Sequence, residues 1–161
     1  MSAMQRTKGA GGEREIAMIV RDLTGWDVRR RVRQHEGDSD LEGVPGWSVE
    51  VKRHRAASRG DIAAWWRQTV TQAEQAAALP VLFFRVDRDA WRAVWPLAAL
   101  LTRQHAGYWK AYEWTAEGAI EAWAAAAREI RLDRQPMTDS PMRTLPGAET
   151  PNHPSLKGLA A

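Results

Sequence analysis

The sequence predicts a single α/β domain in which helices flank a central mixed β-sheet and a further helix is added at the C-terminal end. Three observations support this fold class. Two segments alternate between apolar and polar residues with the period of a β-strand, and a continuous apolar run of strand length follows a segment of helical periodicity. The chain has 161 residues, of which 44% are hydrophobic, and this suits one globular core of ordinary domain size.

The first predicted element is a helix over residues 13–24. Residues 1–12 are polar and contain glycine, so we expect them to be mobile. The helix is predicted because apolar residues then recur at helical spacing until Thr24 and Gly25 end the pattern. These residues are Ile16, Ile19, Val20 and Leu23.

Two strands are predicted next, over residues 26–33 and 47–53, each with one buried face. The first carries Arg29, Arg31 and Arg33 on its outer face, and Trp26, Val28 and Val32 share the inner face with Arg30. The second places Trp47, Val49 and Val51 on one face and Glu50 and Lys52 on the other. Residues 34–46 are rich in glycine and proline, which predicts turns joining the two strands in a meander.

The rest of the chain predicts a helix, an inner strand and several shorter elements. Ser58 or Asp61 is a suitable N-cap for a helix over 61–78, which Pro80 ends, and the apolar run that follows predicts a strand over 81–87. Residues 93–95 are predicted to form a short strand and residues 96–104 a helix with proline at its start. Thr115 is the expected cap of the last helix, whose apolar side is formed by Ile120, Trp123, Ala127 and Ile130.

Composition divides the chain into two parts. Residues 1–134 form the predicted domain, whereas residues 135–161 contain five prolines and few large apolar side chains, so we expect a disordered tail. The chain has no cysteine, no apolar run long enough to cross a membrane and no hydrophobic stretch near its start of the signal-peptide type. These features favour a cytoplasmic protein without disulfides or thiolate metal sites.

The stretch DSDLEGVPGWSVEVKR, residues 38–53, concentrates the candidate chemistry. Glu50 and Lys52 lie two apart on a strand and therefore point the same way, about 7 Å apart. The turn-rich segment before them carries further carboxylates, at Asp38, Asp40 and Glu42. Two carboxylates and a backbone carbonyl are hard oxygen ligands of the kind that Mg²⁺ accepts. The alternative is an exposed edge strand preceded by ordinary turn residues.

Positive charge is concentrated in one third of the chain. The predicted sequence pI is about 9.7, and arginines cluster at positions 29, 31, 33, 53 and 55. Such a cluster favours a polyanion as partner. The four histidines show no paired spacing, so neither a zinc site nor a histidine-dependent nuclease is predicted.

Taken together, KGAGGEREIAMIV, DLEG, SVEVK and PVLFF resemble the PD-(D/E)XK nuclease superfamily, and are most similar to archaeal-type Holliday junction resolvases and related phage endonucleases. The resemblance covers roughly residues 8–87 and implies a restriction-endonuclease-like core. It implies that Asp40 is the motif aspartate, Glu50 the second metal ligand and Lys52 the catalytic lysine. It also implies that Glu13 is the helix-borne acid, although helical periodicity by itself does not separate Glu13 from Glu15.

The same resemblance implies further parts of the site. The Val51 carbonyl is the expected third metal ligand, and Mg²⁺ is the expected ion, with Mn²⁺ able to substitute. Gln68, on the helix after the E-x-K strand, is expected to hold a phosphate or the attacking water; the alternative is a solvent-facing glutamine. Arg29, Arg31, Arg33, Arg53 and Arg55 are the expected DNA-binding residues.

The predicted function is hydrolysis of DNA phosphodiesters, on branched DNA as in Holliday junction resolvases, by a homodimer. Three alternatives stay open. One is a general nickase or phage processing nuclease of the same fold, acting on duplex DNA. Another is a DNA-binding module that keeps the scaffold without the chemistry. The last is an assembly protein that uses the tryptophan-rich C-terminal part.

Overall fold

A four-stranded mixed sheet with helices on both faces is the framework of the molecule. The computed structural model describes residues 3–32, 38–100 and 110–134. The elements are α1 (Ala3–Thr24), β1 (Arg29–Arg30), β2 (Leu41–Glu42), β3 (Trp47–His54), α2 (Arg59–Gln75), β4 (Leu79–Val86), β5 (Arg92–Pro96), β6 (Thr115–Ala119) and α3 (Ile120–Arg134), with short 3₁₀ helices at Leu97–Leu100 and Tyr112–Trp114. The predicted fold class is confirmed.

The sheet has the strand order β3-β4-β5-β6. β3 and β4 are parallel, in register from Trp47 opposite Leu79 to His54 opposite Val86. β5 and β6 then add in antiparallel orientation. Because parallel neighbours need a long crossover, α2 connects β3 to β4 and lies against both of them.

Each face of the sheet has its own apolar core. On the face covered by α1 and α3, Trp123 is fully buried and makes T-shaped contacts with Trp26, Trp47 and Phe83 at centroid distances of 6.4, 5.5 and 4.9 Å. On the face covered by α2, the core is smaller and is formed by Trp66, Val70, Leu82, Phe84 and Val94. The tryptophans predicted to be core residues, Trp47, Trp66 and Trp123, are all buried.

The prediction of a strand over 26–33 is largely wrong. Among the described residues of this segment, only Arg29–Arg30 form a strand, and this strand pairs with β2 in a separate two-stranded ribbon rather than with β3. Its inner face ends early: Trp26 and Val28 are buried, but Val32 is 75% exposed. The chain leaves β2 at Gly43, where φ is +80° and a Cβ would lie 2.0 Å from the Asp27 carbonyl oxygen, so only glycine fits there.

Several element boundaries also differ from the prediction. α1 begins at Ala3, so residues 3–12 are helical rather than mobile, and its glycines do not prevent this. Ser58 caps α2 and Asp61 completes a reciprocal capping box, so both predicted candidates take part in the cap.

The C-terminal elements differ too. Thr115–Ala119 forms the edge strand β6, so the last helix starts at Ile120 and not after a Thr115 cap. Of the helix predicted over 96–104, Leu97–Leu100 forms a 3₁₀ helix, and residues 101–104 lie outside the described residues. The tail at 135–161 and Arg33 lie outside the described residues. Within the described ranges, no helix has the length and apolar character needed to cross a membrane.

Candidate active site

The Glu50 and Lys52 side chains lie on the face of β3 that α2 covers. Glu50 is 0% exposed, and Lys52 Nζ is 2.5 Å from its Oε1 atom. Gln68 Nε2 approaches the same carboxylate oxygen at 3.4 Å. The parallel crossover is the reason for this grouping, because it lays α2 over the polar face of β3.

Asp40 is attached to the free edge of β3. Its Oδ2 atom accepts a hydrogen bond of 2.7 Å from the Val51 N–H, and its own N–H donates to the Val49 carbonyl at 2.8 Å. Ser39 Oγ accepts a further hydrogen bond of 2.9 Å from the Val49 N–H. The N–H and C=O of Val49 thus both face this edge, and the same alternation directs the Val51 carbonyl toward Asp40. Asp40 is thereby held beside the residue that follows Glu50.

This arrangement places two buried carboxylates beside the Lys52 ammonium. Asp40 is 1% exposed and Glu50 0%, and Lys52 is the ammonium that pairs with Glu50. Burial of ionised carboxylates is costly unless cations or hydrogen bonds compensate them. Two buried carboxylates and one backbone carbonyl match the oxygen ligands of Mg²⁺, so the residues fit a divalent cation.

The third carboxylate of the predicted site is farther away. Within residues 3–32, 38–100 and 110–134, no three histidine, aspartate or glutamate side chains are grouped closely enough to hold a metal ion. Glu13 therefore does not join Asp40 and Glu50 as a direct third ligand in this structure.

The two rival acids of α1 have different partners. Glu13 forms an ion pair with Arg30 of β1, and Arg30 lies opposite Leu41, the neighbour of Asp40 in the chain. Glu15 instead accepts two bonds from Arg85, of 2.7 and 3.1 Å, and one of 2.9 Å from the Trp91 indole. Glu13 is thus the acid directed toward the segment that carries Asp40.

Arg30 is a site residue that the sequence analysis did not single out. It shares the inner face of its segment with Trp26 and Val28, and an arginine on an otherwise apolar face is a signal of a buried acidic partner. The partner itself was not predictable, because Glu13 precedes Arg30 by seventeen residues.

The predicted DNA-binding arginines are distributed over three places. Arg29 and Arg31 are on the ribbon, where they pair with Asp27 at 2.6 Å and Glu42 at 4.0 Å. The hydrogen bond to Asp27 raises the pKa of Arg29 above its ordinary value. Arg55 is exposed just after β3. Arg53 is on the α1 side of β3, opposite to Lys52, and its buried Nε atom has no hydrogen-bond partner among the described residues.

Comparison with known proteins places these residues in a family. The family model described as "Phage putative PDDEXK endonuclease" matches residues 4–117. The chain belongs to this endonuclease family. The match extends from α1 into β6, so it includes the whole of the arrangement described above. This phage-type PDDEXK protein is therefore a nuclease with DNA as its substrate, and nucleases of this class generally use divalent metal ions.

One solved structure illustrates how far the similarity extends. Hjc from Archaeoglobus fulgidus, a Holliday junction resolvase, is 22% identical; the alignment covers 53% of this chain and 70% of Hjc, with a TM-score of 0.39. No curated protein matches the chain significantly.

Proposed function

We propose that this chain is a Mg²⁺-dependent endonuclease that hydrolyses phosphodiesters of branched DNA in the cytoplasm of a phage-infected host. The observation that carries the proposal is the grouping of Glu50 and Lys52 of β3 with Asp40, whose buried carboxylate bonds to the edge of that strand. A nuclease needs a cation at the scissile phosphate and a positive group beside the attacking water, and this group offers ligands for the first and an ammonium for the second.

Each residue has a distinct role in the proposed mechanism. Asp40 and Glu50 would hold the cation together with the Val51 carbonyl. When bound, Mg²⁺ would supply Lewis-acid polarisation of the phosphate. Lys52 donates hydrogen bonds to the attacking water or to the phosphate oxygen on which negative charge grows.

Two further residues support this arrangement. Gln68 orients the Glu50 carboxylate, because its amide donates to Oε1. Glu13 acts through a water or through Arg30 rather than as a direct ligand. Both are positioning residues in this proposal.

Binding of the DNA backbone is assigned to Arg29, Arg31, Arg33, Arg53 and Arg55. The exposed guanidinium groups of the ribbon and of Arg55 are accessible to phosphates, whereas Arg53 is assigned as a member of the arginine cluster alone, because its Nε atom is buried on the α1 side of β3. Contacts to phosphates carry no base information, so binding should be steeply salt-dependent and nearly independent of sequence.

Branched DNA is the proposed substrate, and a homodimer the proposed assembly. A junction resolvase cuts two strands symmetrically and so needs two active sites, whereas a nickase can act as a monomer or in a larger assembly. The nuclease unit is proposed to be residues 1–134, with residues 135–161 as a tail that limited proteolysis removes without loss of cleavage. A nickase that acts on any duplex is the second candidate, since backbone contacts alone do not select a junction.

The deciding experiment compares a synthetic four-way junction with matched linear duplex, flap and single-stranded DNA in Mg²⁺. Wild type should make paired symmetric nicks in the junction, and Lys52→Ala should cleave at least about 100-fold more slowly. Cutting of every substrate would favour the nickase. Equal rates for wild type and Lys52→Ala would refute the catalytic assignment.

Calorimetry with Mn²⁺ separates the enzyme from an inactive DNA-binding module. Wild type should bind the ion, and Asp40→Ala should abolish binding. Absence of binding to the wild type would support the module.

A further inference from the structure

An aromatic pair lies at the end of β3, formed by His54 and by Trp65 of α2. The two ring centroids are 4.6 Å apart and the ring planes are inclined by 31°. Trp65 also contacts Phe84 of β4 at a centroid distance of 6.4 Å. His54 is exposed and Trp65 is half-buried. The pair therefore presents ring surface to solvent, and Trp65 is held in place by its packing on the α2-side core.

The pair is next to the candidate catalytic lysine. His54 follows Lys52 by two residues, so both side chains point to the same face of β3, about 7 Å apart. Lys52 also lies opposite Phe84 in the register of β3 and β4, and Phe84 contacts Trp65. The aromatic pair therefore occupies the side-chain position immediately beyond Lys52.

The surroundings of the pair favour an anionic partner. Arg55 follows His54 in the chain and Arg59 is the first residue of α2; both are exposed, and the Arg59 guanidinium lies 5.9 Å from the Tyr112 ring centroid. The nearby carboxylate of Asp61 is engaged by the N–H and hydroxyl of Ser58 in the helix cap. Aromatic surface surrounded by cations is the combination that binds single-stranded nucleic acid.

We propose that His54 and Trp65 form a stacking site for an unpaired nucleobase adjacent to the scissile phosphate. The position of this base rests on the proposed function, because Lys52 marks the reacting phosphate. Bases in intact duplex are already stacked inside the helix and must be extruded at a cost, whereas flaps and bulges contain unpaired bases for which that cost is smallest. Stacking on a ring accepts any base. The pair thus gives the enzyme a preference for interrupted DNA without sequence specificity.

The test measures DNA binding in EDTA, where hydrolysis does not occur. Three labelled duplexes of one sequence are compared: fully paired, with a single unpaired nucleotide, and with an abasic site at that unpaired position. Wild type should bind the unpaired base about 5- to 150-fold more tightly than the abasic duplex. His54→Ala should abolish this preference and leave the affinity for fully paired DNA unchanged.

Matched variants separate stacking from charge and from folding. His54→Phe keeps a ring without the imidazole and should retain the preference. Trp114→Ala removes another partly exposed tryptophan, 48% exposed, and should also retain it. Trp65→Leu should lose the preference, and its thermal unfolding is measured in parallel because Trp65 packs on the core.

The outcomes distinguish this site from the proposed function. Full base preference in His54→Ala, or equal binding of base and abasic duplexes by wild type, overturns the stacking site. Loss of cleavage in Lys52→Ala without any base preference in wild type leaves the nuclease assignment standing and removes the stacking site. A base preference in EDTA together with no cleavage of any DNA in Mg²⁺ supports the stacking site and contradicts the proposed function.

Discussion

The two faces of β3 are buried to the same depth but have opposite chemistry. Toward α1 and α3 the strand presents Val49 and Val51, which pack in the larger core. Toward α2 it presents Ser48 and Glu50, which are buried as completely. Ser48 Oγ has no hydrogen-bond partner among the residues that the structure describes. Burial therefore does not separate core from site in this protein; the charge and hydrogen bonding of the buried groups do.

The comparison implies a division between the two faces: one should determine stability and the other the chemistry. The apolar face should determine the free energy of unfolding, since burial of apolar area is its dominant favourable contribution. The polar face should determine metal affinity and cleavage.

Truncation on the apolar face should cost stability and leave the chemistry intact. Phe83 is fully buried against Trp123, so Phe83→Ala should lower the free energy of unfolding by about 3–5 kcal/mol. Urea titration measures this, with Leu97→Ala on the partly exposed 3₁₀ helix as the control. The rate of cleavage per folded molecule at low temperature should be unchanged, and a loss of rate without a loss of stability would break the division.

Neutralisation on the polar face should have the reverse effect. Glu50→Gln keeps the side-chain volume and removes one of two buried negative charges, so metal affinity should fall at least about 100-fold. The free energy of unfolding should fall by less than in Phe83→Ala, because the Lys52 side chain is 20% exposed and its ammonium stays partly hydrated when the partner charge is lost. Calorimetry with Mn²⁺ and urea titration measure the two effects. Glu117→Gln, which alters the surface pair with Arg92, is the control and should not change metal affinity.

The two glutamates of α1 should differ in the same way, with Glu15 affecting stability and Glu13 affecting cleavage. Glu15 joins α1 to Arg85 and Trp91, so Glu15→Gln should lower the free energy of unfolding by about 1–2 kcal/mol. Glu13→Gln should instead slow cleavage by about 10- to 100-fold through its effect on Arg30. Cleavage assays and thermal unfolding of both variants test this. The reverse pattern would identify Glu15 as the helix acid.

The smallest effect is expected at the cap of α2, which supports both Gln68 and the polar face. Ser58 accepts from the Asp61 N–H in the capping box, so Ser58→Ala should lower the free energy of unfolding by about 1 kcal/mol. Chemical denaturation measures it. Thr71→Ala, at an exposed position inside the same helix, is the control and should have a smaller effect.

The same cap predicts a pH dependence. The hydrogen bonds from the Ser58 side chain and backbone hold the pKa of Asp61 below its ordinary value of 3.8. A carboxyl with a lowered folded-state pKa contributes stability above its unfolded pKa and loses it as the pH falls through the folded value. Wild type should therefore lose stability more steeply than Asp61→Asn below about pH 3.8. If the free energy of unfolding falls equally with pH in the two proteins, the charge of Asp61 contributes no stability to the cap.

The positions of the segments with a clear strand or helix pattern were predictable from the sequence. The strands predicted over 47–53 and 81–87 are observed at Trp47–His54 and Leu79–Val86, and the helix predicted over 61–78 is observed at Arg59–Gln75. Their periodicity is long enough to be unambiguous. The segment at 26–33 has a similar alternation, but the two-residue β2 offers it only a short partner, so most of it is not a strand.

The candidate site was partly predictable for the same reason. Strand alternation places Glu50 and Lys52 together, and the turn before them supplies Asp40. The partners of Glu13 and Glu15 were not predictable, because both lie at similar angles from the apolar stripe of α1. Arg30 and Arg85, which distinguish them, come from distant parts of the chain.

The sequence alone therefore determined the fold class, the E-x-K strand and the candidate residues for a metal site, since these depend on local periodicity and on side-chain chemistry. Only the tertiary structure decided that α2 covers Glu50, that Asp40 bonds to the edge of β3, and that Glu13 rather than Glu15 is directed toward that edge. It also brought His54 against Trp65. The physical reason is that such contacts join residues far apart in the chain, and their geometry is set by how the helices pack on the sheet and not by any local pattern.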